Sequence, residues 1–182
     1  MISTERLELR RAATEDAPAV ARYYAENEEH LRPWSPRRPQ GFTTEAHWRA
    51  LVPRMESEWL AGRNLRLFAW PKGEPRIVGT VSLSQIAHGV LQQAYLGYDL
   101  AAAEQGKGFA REMVRAAVAF AFDELRLHRV AANYMPHNER SARLLKDLGF
   151  EIEGRARAYL AINGRWEDHV LTALVNPRAL PA

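Results

Sequence analysis

The stretch "EQGKGFARE", Glu104 to Glu112, decides how this chain is read. It sets Gly106 and Gly108 on either side of Lys107. It follows the strand-like segment "QAYLGYDL" (93–100) and opens onto Phe109, Met113, Ala116, Ala117 and Phe120, apolar residues at helical spacing. A strand, a glycine turn and a helix in that order present backbone N–H groups at a helix N-terminus, where donors and dipole both favour an anion. Two familiar phosphate loops do not fit. A Walker loop needs Ser or Thr after Gly-Lys to hold magnesium, whereas Gly108 and then Phe109 follow Lys107. A dinucleotide fingerprint needs a third glycine and an acidic residue roughly twenty positions on. What remains is Gln105, Gly108 and Ala110 in the spacing Q-x-x-G-x-A, a backbone cradle that could take a pyrophosphate without a metal. A plain tight turn before a helix would use the same residues.

Working outward, the helix after the loop runs to about Leu125, and "HRVAANYM" (128–135) follows as a strand. A strand, crossover helix and strand make a parallel pair. Ahead of it, "LRLFAW", "RIVGTVSLSQI" and "QAYLGYDL" are three strands of a meander. "RLELRRA" alternates Leu7 and Leu9 with charge and reads as a first strand. Thr14 then caps a helix to about Ala25, with Glu15 and Asp16 in its first turn. The proline-rich "AENEEHLRPWSPRRPQGF" (25–42) reads as a loop, and Thr43 or Thr44 caps a second helix through Trp48, Leu51, Met55 and Trp59 that stops at Gly62. "ERSARLLKDL" is a short helix stopped by Gly149, and "RARAYLAI" and "RWEDHVLTAL" flank a hairpin turn at Asn163-Gly164. Nothing divides the chain, so residues 1–182 are expected to form a single α+β domain.

Composition narrows the function. With 47% hydrophobic and 26% charged residues, the chain is ordinary globular material. It has no cysteine, which excludes disulfides, thiolate zinc sites and an acyl-cysteine intermediate. Its six histidines show no H-E-x-x-H spacing, so no metal site is expected. The net charge of +3 comes from scattered arginines, which gives no reason for dedicated nucleic-acid binding. No apolar run approaches the ~20 residues of a membrane span, and "MISTERLELRR" lacks a signal-peptide core. A cytoplasmic protein without a membrane partner is the expectation.

Taken together, "EQGKGFARE" and "NYMPHNERSARLLKDLGF" resemble the acetyl-coenzyme A signature of the GNAT N-acetyltransferases. "YYAENEEHLRPW", "YLGYDL", "HRVAANYMPHN" and "INGRWEDHVLTAL" are similar to its RimJ and RimL branch, nearer to RimJ, across about residues 5–177. The resemblance implies a twisted mixed sheet of about seven strands with about four helices, splayed between its fourth and fifth strands, "QAYLGYDL" and "HRVAANYM". The pantetheine arm would lie in that gap and satisfy the parted edges. It implies acetyl-CoA as co-substrate, with Leu100, Gln105, Gly106, Lys107, Gly108, Phe109, Ala110, Asn133, Asn138 and Ser141 on the cofactor side. The acceptor would be a protein N-terminus, with a ribosomal protein as the implied class, or a small amine. An acetyl-CoA-binding module without turnover is a further reading, and a homodimer is compatible with all three.

Acetyl transfer to an amine needs a neutral nucleophile, an oxyanion donor and a way to protonate the departing thiolate. An α-amine of pKa ~7.7–8.0 is roughly a tenth neutral at pH 7, against under a thousandth for a lysine, so an N-terminal acceptor asks little of a base. By resemblance, Leu100 gives a backbone N–H to the thioester carbonyl and Ser141 lies near the sulfur. Many relatives place a tyrosine acid four residues before the glycine that ends this helix, where this chain has Leu145. That departure moves the leaving-group role to Ser141. Without the resemblance, Asn138 is only a helix cap and Ser141 a helix residue. Glu104 and Glu28 are the leading carboxylates for a base or amine-binding group, with Glu26 and Glu29 behind them. Asp168 reads as a satisfied hairpin residue, Trp34 as either cleft wall or loop staple, and Tyr134 as a strand residue near the cofactor.

Overall fold

The computed structural model describes residues 1–178. An eight-stranded sheet runs in the order β1-β2-β3-β4-β5-β6-β8-β7. Its strands are β1 (Ile2–Ser3), β2 (Leu7–Arg10), β3 (Leu65–Pro71), β4 (Gly79–Ala87), β5 (Gln93–Leu100), β6 (Arg129–Tyr134), β7 (Glu151–Ile162) and β8 (Arg165–Val175). The helices are α1 (Ala17–Glu26), α2 (Glu28–Leu31), α3 (Glu45–Leu60), α4 (Phe109–Asp123) and α5 (Glu139–Asp147). Every neighbouring pair is antiparallel except β5 and β6, the pair joined through α4. The expected strand–helix–strand unit is therefore present.

Period-two patterning sorts the side chains into two cores. Leu67, Val81, Leu83, Leu96, Val130 and Ala132 face α4, where Met113, Val114, Ala117 and Ala121 close over them. Phe68, Trp70 and Ile77 face the other way, against Tyr23 and Tyr24 of α1 and Trp48 of α3. The α3 cap is Thr44, whose Oγ1 accepts the His47 N–H at 3.3 Å. Asn163 and Gly164 both take positive φ, 47° and 83°, as the turn between β7 and β8 requires.

Three expectations need correction. The sheet gains β1, two residues long and paired only with β2 through Ile2↔Leu9 and Ser3↔Glu8, too short for periodicity to register. The segment read as a loop contains α2, whose four residues also give no periodic signal. Thr14 is not a cap: residues 14–16 form a 3-10 turn, and the Asp16 carboxylate accepts the Ala13 N–H at 2.8 Å while Arg10 grips it from outside at 2.5 Å.

The parallel pairing of β5 with β6 is brief. It joins Gln93↔Arg129, Ala94↔Val130 and Tyr95↔Ala131 and stops. Beyond it, Leu96–Leu100 stay with β4 and Ala132–Tyr134 stay with β8. The sheet therefore splays there, as the resemblance implied. Gly79 holds the end of β5 in place: a Cβ on it would sit 2.6 Å from the Asp99 carbonyl oxygen, 3.2 Å from Leu100 Cδ1 and 3.3 Å from Met113 Cε. Backbone cannot yield as a side-chain tip can. Gly79→Ala should therefore cost about 1–3 kcal/mol in urea unfolding, whereas Gly154→Ala, with nothing within 4 Å, should stay within about 0.5 kcal/mol. Equal costs would remove this packing account.

Candidate active site

Residues 102–104 make a short 3-10 turn, and Gly106 and Gly108 then adopt φ of 78° and 83°, values that glycine takes without strain. Gly108 is the N-cap of α4, and no side chain caps that helix. Among the described residues, the backbone N–H groups from Gly106 through Arg111 have no acceptor; the ladder begins with the Glu112 N–H on the Gly108 carbonyl at 3.1 Å. A run of free donors at a helix N-terminus fits a pyrophosphate.

The loop is held in place by some of its own residues and, from outside, by Arg6, Arg76, Asn27, His30 and Arg140, which sequence reading missed. Arg6 donates to the Lys107 carbonyl at 2.8 Å and to Glu112 at 2.7 Å, and it lies 4.5 Å over the Phe109 ring. Glu104 is buried and takes Arg76 at 2.7 Å and Lys107 at 3.1 Å. Burial pushes its carboxyl up, but the two cations outweigh that and hold it below the usual carboxylate range. Both of its oxygens are engaged, so the geometry makes it an anchor of the loop. Gln105 bridges His30 of α2 at 2.9 Å and Arg140 of α5 at 2.5 Å. Asn27 beside α2 accepts the Ala102 N–H at 2.9 Å. Glu28, the other carboxylate of interest, is exposed on α2, and its side chain makes no ion pair or hydrogen bond among the described residues. Partners so far apart in sequence leave no local trace, which is why Arg6 and Arg76 were illegible.

At the splay, consecutive residues of β5 face opposite sides. Tyr98 points towards α5, where its hydroxyl lies 2.6 Å from Ser141 Oγ. Asn138 fixes that serine: its Oδ1 accepts the Ser141 N–H at 3.1 Å and starts α5 there. Burial pushes the Tyr98 phenol up to about 12, against a smaller downward pull from the Ser141 hydrogen bond. The Ala101 N–H reaches back to Val78 of the β4 side at 2.8 Å. Leu100, one residue earlier, therefore turns its N–H the other way, into the gap. Leu145 is 1% exposed and belongs to the core. Sequence reading quoted Tyr98 without singling it out, although alternation from Leu96 would have placed it on the α4 and α5 face.

Asp99 and Gly97 face the α1 and α3 side. Tyr23 donates to Asp99 at 2.6 Å. Gly97 is exposed, with Ser82 and Ser84 half-buried on the strand beside it. Across the gap stands Asn133, on this face and not beside Ser141, with its amide 3.5 Å from the Tyr159 hydroxyl. Behind it is His169, 3% exposed, whose Nδ1–H donates to the Glu167 carbonyl at 3.0 Å. Trp34 packs on His137 at 5.6 Å, and the Asn163 N–H donates to the Ser35 carbonyl at 2.9 Å, so this loop is tied to the β7–β8 turn. Asp168 accepts the Ala158 N–H at 2.9 Å, the satisfied hairpin role expected of it. The described residues hold no cluster of three or more His, Asp or Glu arranged for a metal, and no helix long and apolar enough to cross a membrane.

Comparison with known proteins agrees with this geometry. The acetyltransferase (GNAT) domain family matches residues 6–151. The chain is 39% identical over 180 residues to the [ribosomal protein uS5]-alanine N-acetyltransferase of Escherichia coli, covering 99% of this chain and 93% of that one. The ribosomal-protein-S5-alanine acetyltransferase of Vibrio fischeri has a TM-score of 0.93 at 36% identity, over 98% of both chains. Mycobacterium smegmatis RimJ, in complex with CoA-disulfide, has a TM-score of 0.88 at 29% identity over 95% of this chain and 85% of that one. With the parted sheet and uncapped α4 found by geometry, and the family matched along most of its length, the chain belongs to the GNAT acetyltransferases.

Proposed function

We propose that the chain transfers acetyl from acetyl-CoA directly to the α-amine of a protein N-terminus, with a ribosomal protein as the acceptor. The observation that carries this reading is the division at the end of β5: Tyr98 meets Ser141 on one face, Asp99 meets Tyr23 on the other, and the unpaired strand edges lie between them. The names and substrates of the relatives support the acceptor class.

On the cofactor side, the N–H groups from Gly106 to Arg111, with Gln105, Phe109 and Ala110 framing them, take the pyrophosphate, and Lys107 adds charge. The open edges of Leu96–Leu100 and Ala132–Tyr134, Asn133 among them, take the pantetheine amides. The Leu100 N–H is aimed at the thioester carbonyl and stabilises the oxygen as it gains charge. In the reaction the amine nitrogen forms a bond to the carbonyl carbon, the carbon–sulfur bond breaks, and a proton leaves nitrogen as sulfur departs with its electron pair.

Ser141 donates to that sulfur, and Tyr98 donates to Ser141. A phenol pushed to about 12 is a poor acid toward a thiolate whose own pKa is near ~8.5. The pair thus acts by hydrogen bonding, and the proton comes from the amine or from water. Asp99 is the carboxylate best placed to hold the incoming amine. Glu104 serves the loop, and Glu28 is a free carboxylate on α2.

Ser141→Ala should lower kcat by on the order of ten- to a thousandfold with CoA affinity nearly intact, because the bond strengthens in the transition state. Tyr98→Phe should also lower kcat, and the double variant should be little worse than the worse single, as for groups acting in series. An unchanged kcat for Ser141→Ala, or fully additive losses, would remove the relay. For the acceptor, alanine- and serine-initiated peptides should be acetylated in preference to polyamines or lysine side chains. With them, kcat/KM should rise with an apparent pKa near ~8, set by the peptide's own amine. A rise only above about pH 9.5, or a preference for small amines, would overturn the N-terminal reading.

A further inference from the structure

The half-buried arginines of the described chain are Arg10, Arg38, Arg66 and Arg129. Arg10 is paired with Asp16 and Arg129 with Glu153. Arg38 and Arg66 have no carboxylate at ion-pair distance among the described residues. They converge on one ring: the Arg38 guanidinium carbon lies 4.8 Å from the centroids of both Tyr24 and Phe42, and that of Arg66 lies 5.9 Å from Tyr24. Arg38 Nη1 and Arg66 Nε are buried and lack hydrogen-bond partners among the described residues, and the buried Tyr24 hydroxyl lies beside Arg66 and Thr80. Aromatic faces offset part of the desolvation of a guanidinium, but its in-plane N–H groups still need oxygen acceptors. Asp99, on the same face, is not within ion-pair distance of Arg66 among the described residues, and one of its oxygens already accepts from Tyr23.

Strand register connects these arginines to the splay. Arg66 pairs with Ser82 and Ser82 with Gly97, so the three form one row across β3, β4 and β5 on the face that carries Asp99. The row descends from a cation, over a serine, to an exposed glycine beside the gap. Strands lie about 4.8 Å apart, which puts Arg66 roughly 10 Å from β5.

We propose that Arg38 and Arg66 form a subsite for a carboxylate side chain of the acceptor. The substrate is then a protein N-terminus with an acidic residue within its first few positions. The proposal rests on the N-terminal reading above. An extended chain advances about 3.4 Å per residue, so an amine at the splay places residues two to four within reach of the pair. Planar guanidinium groups suit a carboxylate, and Asp99 at the amine end gives the groove charges complementary to a segment that begins with an amine and continues with an acid.

The test uses alanine-initiated hexapeptides carrying Glu, Gln or Lys at positions two to four, assayed at saturating acetyl-CoA with the wild type, Arg38→Gln, Arg66→Gln and the double variant. Calorimetric CoA affinity and melting temperature report folding, and Arg38→Gln, on a loop, carries the test if Arg66→Gln does not fold. We expect kcat/KM for the Glu peptide to exceed that for the Gln peptide by at least about tenfold, through KM, with the Lys peptide poorest. The preference should shrink in each single variant and vanish in the double. Equal kcat/KM for Glu and Gln peptides, or a preference that survives the loss of both arginines, overturns the subsite while leaving N-terminal acetylation standing. Acetylation of small amines with no turnover of any peptide overturns the N-terminal reading and the subsite together.

Discussion

The parting of β5 from β6 after Tyr95↔Ala131 is the constraint on which the site depends. Two central strands that stop exchanging hydrogen bonds leave N–H and C=O groups that cost about 1–3 kcal/mol each if buried without partners. A sheet keeps such a gap only when other contacts hold the strands apart and water or a bound molecule takes the edges. Here β5 is committed to β4 through Leu100↔Gly79, and β6 to β8 through Tyr134↔Val170. The short link from β5 leads directly into the glycine turn and α4, so the gap and the free donors of that turn lie end to end.

One consequence is the separation of the two half-sites by the sheet itself. Alternation along β5 sends Tyr98 to the face of α4 and α5 and Asp99 to the face of α1 and α3, so in the proposed reaction leaving-group chemistry and amine binding fall to adjacent residues without crowding. The glycine loop is fixed by charge: Arg6 with Glu112, and Glu104 with Arg76 and Lys107. Some of these partners are substantially exposed, so their value lies in positioning more than in stability. These side chains leave the backbone donors from Gly106 onward untouched, and those stay free because the first turn of a helix has no preceding carbonyls to meet them.

Much of this was legible in the chain. The Phe109 to Phe120 periodicity, the glycines at 106 and 108 and the Asn163-Gly164 turn each have a local physical signature, and the structure contains all three. The splay and the gap-facing Leu100 N–H came only from resemblance, since no side chain encodes an unpaired edge. Three features were not visible. Tyr98 needs both strand phase and the position of α5; the Arg6 clamp spans about the whole distance from the first strand to α4; and the unpaired state of Arg38 and Arg66 exists only once every other half-buried arginine is seen to have an acid. Glu104 looked like a free carboxylate because its burial and its partner Arg76 are not local properties, although Lys107 stands only three residues on.

Amide hydrogen exchange with and without CoA tests the central claim most directly, since backbone donors are said to hold the cofactor. The account predicts slowed exchange on CoA addition confined to Gly106–Arg111 and the two splayed edges at Leu96–Leu100 and Ala132–Tyr134, with the β7–β8 turn at Asn163–Gly164 unchanged. CoA binding that leaves all three segments unprotected would contradict it.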